Sequence, residues 1–251
     1  MSKKVLIIDV GNTATEFAVF NDENLQEFLG FFKFPDELET AKKVLNSYKN
    51  KGNSIDDGMI FSVVPKHNES IQKIVNEVFK KQISVFDWRG YELEKKNPQI
   101  KESIGADLIA DLKEAEKGYG GPCLIADFGT VTKLLLTNGD NSFEGLSIIP
   151  GIEISLKLFS SKTALLPESN SVSVKSERLG LNTLDSMHHG VYWSTVYYVK
   201  NVFKSLKNDK AKLILTGGNL RYVKDEFPEA IIDPQLTLKG MLVLYKEVKH
   251  E

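Results

Sequence analysis

The stretch Leu6–Thr13, LIIDVGNT, has an altered second copy at Leu124–Thr132, LIADFGTVT. In each copy an apolar run ends on an aspartate, Asp9 or Asp127, followed by one residue, a glycine and a short Thr-containing segment. An apolar run of this length predicts a central strand buried on both faces. The glycine lets the backbone turn tightly and approach an anion, at which successive N–H groups of the turn can point. The carboxylate can hold Mg²⁺, directly or through waters, because Mg²⁺ prefers oxygen ligands and keeps much of its hydration. One such turn is often only a turn former. Two of them, about half a chain apart, predict two similar halves, each offering one carboxylate to a nucleotide phosphate.

The intervening sequence supports the duplication. After the first copy, Phe17–Phe20 reads as the returning strand of a hairpin and Asp36–Lys49 as a helix with Leu38, Ala41, Val44 and Leu45 in phase. Met59–Val64 reads as a strand stopped by Pro65, Ile71–Lys80 as an amphipathic helix and Ile83–Phe86 as a short strand. Tyr91–Lys101 is polar and reads as a loop; Ser103 then caps a helix from about Ala106 to Lys117. The glycines at 118, 120 and 121 mark a domain boundary, giving domains 1–117 and 118–251. The second round has strands at Cys123–Ala126 and Lys133–Leu136, a hairpin turn at Asn138-Gly139, and a strand Phe143–Ile149 halted at Pro150-Gly151. Helices follow at Ile152–Phe159 and Thr183–Leu206. A strand Lys212–Leu215 then runs into Thr216-Gly217-Gly218, a site for a nucleotide's sugar or base, and a last helix covers Leu238–Lys249. The fold class expected is α/β, two duplicated domains with mixed sheets flanked by helices.

Composition narrows the function. With 251 residues, 41% hydrophobic and 26% charged, the chain reads as an ordinary globular protein. A net charge of -2 without a basic stripe argues against nucleic acid as a partner. The single cysteine, Cys123, excludes an internal disulfide framework. No uncharged apolar stretch is long enough for a membrane span, and Asp9 interrupts the N-terminal apolar run, so the start reads as a first strand of a cytoplasmic protein. Neither GxxxxGK[ST] nor GxGxxG occurs, so a nucleotide must use the Asp-Gly turns. His188 and His189 point about 100° apart on a helix, a poor arrangement for one metal, and read as surface or core residues. Tyr192, Trp193, Tyr197 and Tyr198 read as core or dimer interface; Glu144 and Glu153 flank Pro150–Ile152 and stand near a cation or in solvent.

The two Asp-Gly turns and the Gly-Gly pair together resemble the actin-like (ribonuclease H-like) superfamily of sugar kinases, Hsp70 and actin, with a nucleotide cleft between the domains. Within it the chain resembles type III pantothenate kinase. The resemblance rests on DVGNT at Asp9–Thr13, SVVP at Ser62–Pro65, NP at Asn97-Pro98, GAD at Gly105–Asp107, DFGT at Asp127–Thr130, PGI at Pro150–Ile152, TALLP at Thr163–Pro167, GLNT at Gly180–Thr183 and LTGG at Leu215–Gly218, all in the family's order. It implies ATP-dependent phosphorylation of pantothenate, the first step of coenzyme A synthesis, by a homodimer. Carried over by position, Asp9, Val10, Gly11, Asn12, Thr13, Ala14, Thr15 and Glu16 form the first phosphate turn, with Asp9 near Mg²⁺. Asp107 is the general base, Asp127 takes a potassium or ammonium ion, and Thr130 contacts ATP. Gly105, Ala106, Asp107, Leu108 and Thr183 contact pantothenate.

The acceptor side departs from the family pattern. The family motif GADR is here GADL, so Leu108 replaces an arginine able to make a charge-assisted contact with an anionic substrate. Lys95 stands where a tyrosine usually precedes the Asn-Pro pair, and two extra residues separate Pro98 from Gly105 relative to the usual spacing. These changes leave three accounts open: a pantothenate kinase with a rebuilt pocket, a kinase for another small hydroxyl compound, or a weakly catalytic nucleotide-binding regulator.

Overall fold

The computed structural model describes residues 3–21, 24–33, 37–89, 104–138, 142–169, 172–173 and 178–249. The loop expected over Tyr91–Lys101, the Asn97-Pro98 pair, the cap at Ser103 and Gly139 of the hairpin turn lie outside these residues. The chain divides into two compact units, Met1–Glu114 with Leu236–Glu251, and Ala115–Gln235.

The first unit contains β1 (Lys4–Val10), β2 (Ala14–Asn21), β3 (Asn24–Lys33), α1 (Glu37–Asn50), β4 (Asp57–Ser62), α2 (Asn68–Phe79), β5 (Ser84–Val85) and α3 (Ala106–Glu114). Its sheet has the order β3-β2-β1-β4-β5. β1 is antiparallel to β2 and parallel to β4, which makes it the central strand that its apolar run predicts; Leu6, Ile7 and Ile8 are fully buried. Leu6, Ile8, Phe17 and Val19 pack against Ala41, Leu45 and Tyr48 of α1 and Ile71, Val75 and Val78 of α2. The apolar stripes of both helices therefore cover one face of the sheet.

The second unit contains β6 (Cys123–Phe128), β7 (Val131–Thr137), β8 (Phe143–Pro150), α4 (Ile152–Lys162), α5 (Thr183–Ser205), β9 (Lys212–Thr216), α6 (Leu220–Val223) and β10 (Ile231–Ile232). Its sheet order is β10-β9-β6-β7-β8. With β6 set on β1, β7 on β2 and β9 on β4, order and direction of pairing coincide: β6 is antiparallel to β7 and parallel to β9. The repeat in the sequence is thus a repeat of topology. The interior joins Leu124, Ala126 and Phe128 of β6 to Ile152 and Leu156 of α4 and to Val191, Trp193 and Val196 of α5.

The last helix, α7 (Leu236–Lys249), lies with the first unit, whereas the sequence reading assigned everything from 118 to 251 to the second. The reason is its packing on α3. A methyl group at Gly240 would overlap the Ala110 carbonyl, so the two helix backbones meet without a side chain between them. Thr237 Oγ1 donates to Asp111 Oδ1 at 2.7 Å, and the buried Lys113 ammonium pairs with Glu247 at 2.7 Å. The helix expected to run to Lys117 ends at Glu114 and continues as a π-helical turn, Ala115–Tyr119. Edge strands β3 and β10 and the short α6 were not foreseen.

Tyr245 ties α7 to β4 by donating to Asp57 Oδ2 at 2.9 Å. Burial works against charge on Asp57, but the Gly58 N–H, the Tyr245 hydroxyl and Lys249 outweigh it and hold the carboxyl below its ordinary value. A depressed carboxyl stabilises the fold above its unfolded-state value, 3.8, and this contribution fades as pH falls through the lower folded value. Tyr245→Phe is expected to lower stability at pH 7 by about 1 kcal/mol. Urea unfolding should find a smaller difference between the two proteins as the pH is taken well below 3.8; an undiminished difference there would place the effect in packing instead.

Candidate active site

In the first unit, Asp9 stands one residue from the end of β1, half-buried, opposite Glu16 across the β1–β2 pair. The Gly11 N–H donates to the Ala14 carbonyl at 3.0 Å and closes the turn, with Asn12 and Thr13 exposed at its tip. Val10, Ala14 and Thr15 are buried. Of the eight residues expected here, those three can offer a ligand only their backbone, while Asp9, Asn12, Thr13 and Glu16 can offer side chains.

Two further segments meet this turn. The Val63 N–H donates to the Val10 carbonyl at 3.1 Å, which brings Ser62–Pro65 alongside it. Ser62 Oγ accepts from the Val64 N–H at 3.0 Å and keeps that segment folded back. A Cβ at Gly105 would lie 3.6 Å from Val63 and 2.5 Å from Asp107 Oδ1, so the absence of a side chain makes room for the carboxylate. Asp107 occupies the first turn of α3, and its Oδ1 accepts from the Leu108 N–H at 3.0 Å. The helix dipole favours an anion at that end. Three sequence motifs distant in the chain, DVGNT, SVVP and GAD, thus form one cluster. Leu108, in the arginine position, is buried at 6% exposure, which suits an apolar side chain.

In the second unit Asp127 is buried near the end of β6. Its Oδ2 lies 2.6 Å from Lys133 Nζ, its partner across the β6–β7 hairpin, and each side chain is only 12% exposed. The resemblance put a free potassium or ammonium ion at Asp127; the carboxylate here already holds a cation, and this donor set does not fit a second one. Thr130 is exposed at the tip of the turn. The turn is held from two sides. Asn219 donates from its backbone to the Phe128 carbonyl at 2.7 Å and from Nδ2 to the Gly129 carbonyl at 2.9 Å. Gly151 donates to the Thr130 carbonyl at 3.2 Å, and a methyl there would overlap that same carbonyl. DFGT, PGI and LTGG therefore converge in the second unit as DVGNT, SVVP and GAD do in the first.

Thr183 opens α5 behind Asn182, whose Oδ1 accepts from the Asp185 N–H at 2.9 Å as an N-cap. Gly180–Thr183, Phe159, Leu166, Ser186 and Met187 line an open groove of about 620 Å³ within the second unit. His188 is buried, with Nε2 2.7 Å from Ser169 Oγ, and is a satisfied interior histidine. Glu153 accepts from Arg221 at 2.8 Å and Tyr222 at 3.2 Å, so it serves those side chains. Trp193 is buried and stacks on Tyr197 at 5.1 Å. Among the described residues no group of three or more His, Cys, Asp or Glu side chains could hold a metal, and no helix is long and apolar enough to cross a membrane.

Sequence reasoning missed Lys133, Asn219 and the role of Gly151. Lys133 depends on the register: three residues, Gly129–Val131, separate the paired Phe128 and Thr132, which puts residue 133 opposite residue 127, whereas a two-residue turn would put residue 132 there; opposite charges facing each other across strands attract. Asn219 and Gly151 act through backbone contacts that carry no local signature.

Two sheets of equal topology, each presenting a carboxylate in a glycine turn, define an actin-like ATPase fold. Solved structures with this fold include a Baf family transcriptional activator from Campylobacter jejuni, with a TM-score of 0.58 at 21% identity, covering 98% of this chain and 100% of that one. Another is the activator of the 2-hydroxyisocaproyl-CoA dehydratase from Clostridium difficile with bound ADPNP, with a TM-score of 0.53 at 12% identity, covering 98% and 96%. The family model for type III pantothenate kinase matches residues 5–205. A type III pantothenate kinase of Halalkalibacterium halodurans is 32% identical over 97% of this chain and 99% of that protein, and one of Agathobacter rectalis is 30% identical over 97% of each. The chain belongs to the type III pantothenate kinase family.

Proposed function

We propose that this protein transfers the γ-phosphoryl group of ATP to the primary hydroxyl of pantothenate, yielding phosphopantothenate for coenzyme A synthesis. The observation that carries this reading is the meeting of the Asp9 turn, Ser62–Val64 and Gly105–Asp107 in the first unit, which puts a phosphate turn beside a half-buried carboxylate at a helix start. Asp9 would hold Mg²⁺, directly or through water, and the turn from Gly11 to Glu16 would receive the phosphates. The metal, when bound, neutralises charge on the transferring group. Asp107 accepts the proton of the attacking hydroxyl. Thr130 contacts ATP, and Gly105, Ala106, the Leu108 backbone and Thr183 contact pantothenate.

The finer context follows the same reading: a cytoplasmic homodimer without nucleic-acid or membrane partners. Exposed Ile148, Leu158, Leu165, Leu179, Leu181 and Leu184, all in the second unit, support a protein partner there. A potassium or ammonium ion at Asp127 is the family expectation that suits this chain least, because Lys133 stands at that carboxylate.

The test is ADP release coupled to pantothenate, with the phosphorylated product identified by mass. Turnover that depends on pantothenate is the expected result. ADP release equal with and without pantothenate would overturn the assignment.

A further inference from the structure

The Asp127–Lys133 pair is a feature of the site that the sequence resemblance does not account for. It is built into the hairpin, because the β6–β7 register sets residues 127 and 133 face to face. The charged atoms lie 2.6 Å apart, and both side chains are largely withdrawn from solvent. The other carboxylate oxygen is packed: Gly217 lies against it so closely that a methyl there would overlap Asp127 Oδ1, and a Cβ at Gly129 would lie 3.5 Å from it.

We infer that the Lys133 ammonium is a tethered monovalent cation, doing at Asp127 what the family's potassium or ammonium ion does, so that this protein works without either. The inference rests on the kinase reading above. Its chemistry is direct. A lysine ammonium carries the same unit charge as NH₄⁺ and presents three N–H donors. Asp127 without a partner would set a buried negative charge in the same turn as Thr130, the proposed ATP contact, and uncompensated buried charge is strongly unfavourable. Lys133 supplies the compensation from within the fold. A free monovalent cation at the same carboxylate would meet a like charge already in place, and like charges at one site disfavour each other.

The test compares coupled ADP release in potassium chloride, ammonium chloride and tetramethylammonium chloride at equal ionic strength, using tetramethylammonium or Tris salts of all other reagents. The wild-type rate is expected to be the same in all three. Lys133→Thr is expected to lose on the order of a hundredfold in tetramethylammonium, as when one preorganised charge partner is removed, and to recover in potassium or ammonium. A wild-type rate that requires potassium overturns the inference, as does a Lys133→Thr variant fully active in tetramethylammonium.

A second readout stands apart from turnover. Calorimetric titration with Mg-ADP should give one affinity for the wild type in potassium and tetramethylammonium, and a potassium-dependent affinity for Lys133→Thr. Wild-type affinity that rises with potassium overturns the inference even where no acceptor is phosphorylated. Failure to phosphorylate pantothenate in every salt overturns the kinase reading alone, and the titration then decides this one. Should Lys133→Thr not fold, the two wild-type comparisons decide it.

Discussion

Asp107→Asn is expected to lower kcat with pantothenate by about 10²–10⁴ while leaving the fold and the affinity for ATP in place. The substitution is nearly isosteric. The asparagine Oδ1 can still accept the Leu108 N–H that Asp107 accepts at 3.0 Å, so the first turn of α3 keeps that hydrogen bond. What disappears is charge and basicity. Loss of a carboxylate at a helix N-terminus costs only about 0.3–1 kcal/mol, too little to unfold a domain of this size. The lower part of the range in kcat is the better expectation. Phosphoryl transfer passes through a loose transition state, in which positioning and charge neutralisation do most of the work and proton removal comes late. The measurement is the coupled assay with both proteins at saturating ATP, beside thermal unfolding of each. Equal kcat values would remove Asp107 from the role of base. A large drop in melting temperature would show that the carboxylate is structural.

The comparison between sequence and structure turns on how far each signal reaches along the chain. β1 and β6 were legible because each is a short uninterrupted apolar run ending on Asp, and both are central strands, Leu6–Ile8 and Cys123–Ala126 being almost wholly buried. α1, α2 and α5 were legible from apolar residues at helical spacing. β3 was not, since NLQEFLGFFK lacks a clean alternation and forms only by pairing with β2. The place of α7 was not legible either. Its partner α3 lies more than a hundred residues earlier, and the deciding feature is Gly240, which reads in sequence as a weak spot in a helix. In the structure the same glycine is what allows backbone contact with Ala110.

The site divides in the same way. The motifs were visible one by one, but their assembly into two clusters depends on contacts such as Val63 to Val10 and Asn219 to Phe128, which are made by backbone and leave no residue-type signal. Leu108 shows the converse. In sequence it is a missing arginine beside the proposed base; in the structure it is a buried core residue. Recognition of pantothenate's carboxylate must then rest on groups other than that side chain.

Gly217→Ala and Gly218→Ala should behave very differently, although the two residues are neighbours in one motif. Gly217 has φ +93, a conformation that a side chain strains, and its added methyl would overlap Asp127 Oδ1 and the Phe128 backbone. Neither can yield easily, because β6 is hydrogen-bonded to β7 on one side and β9 on the other. The strain of a non-glycine residue at positive φ costs roughly 1–2 kcal/mol, and overpacking adds about 1–3 kcal/mol. Gly217→Ala is therefore expected to lose about 2–5 kcal/mol of stability, measured by urea unfolding. It should also displace the carboxylate that Lys133 holds, so Mg-ADP binding by the fraction that folds should weaken. A methyl at Gly218 meets nothing within 4 Å, and Gly218→Ala should change stability by no more than about 0.5 kcal/mol. Nucleotide affinity in that second variant carries separate information. If the stretch after β9 receives the sugar or base, the methyl at 218 weakens Mg-ADP without touching the fold, whereas unchanged affinity would leave the seating of Asp127 by Gly217 as the contribution of this stretch.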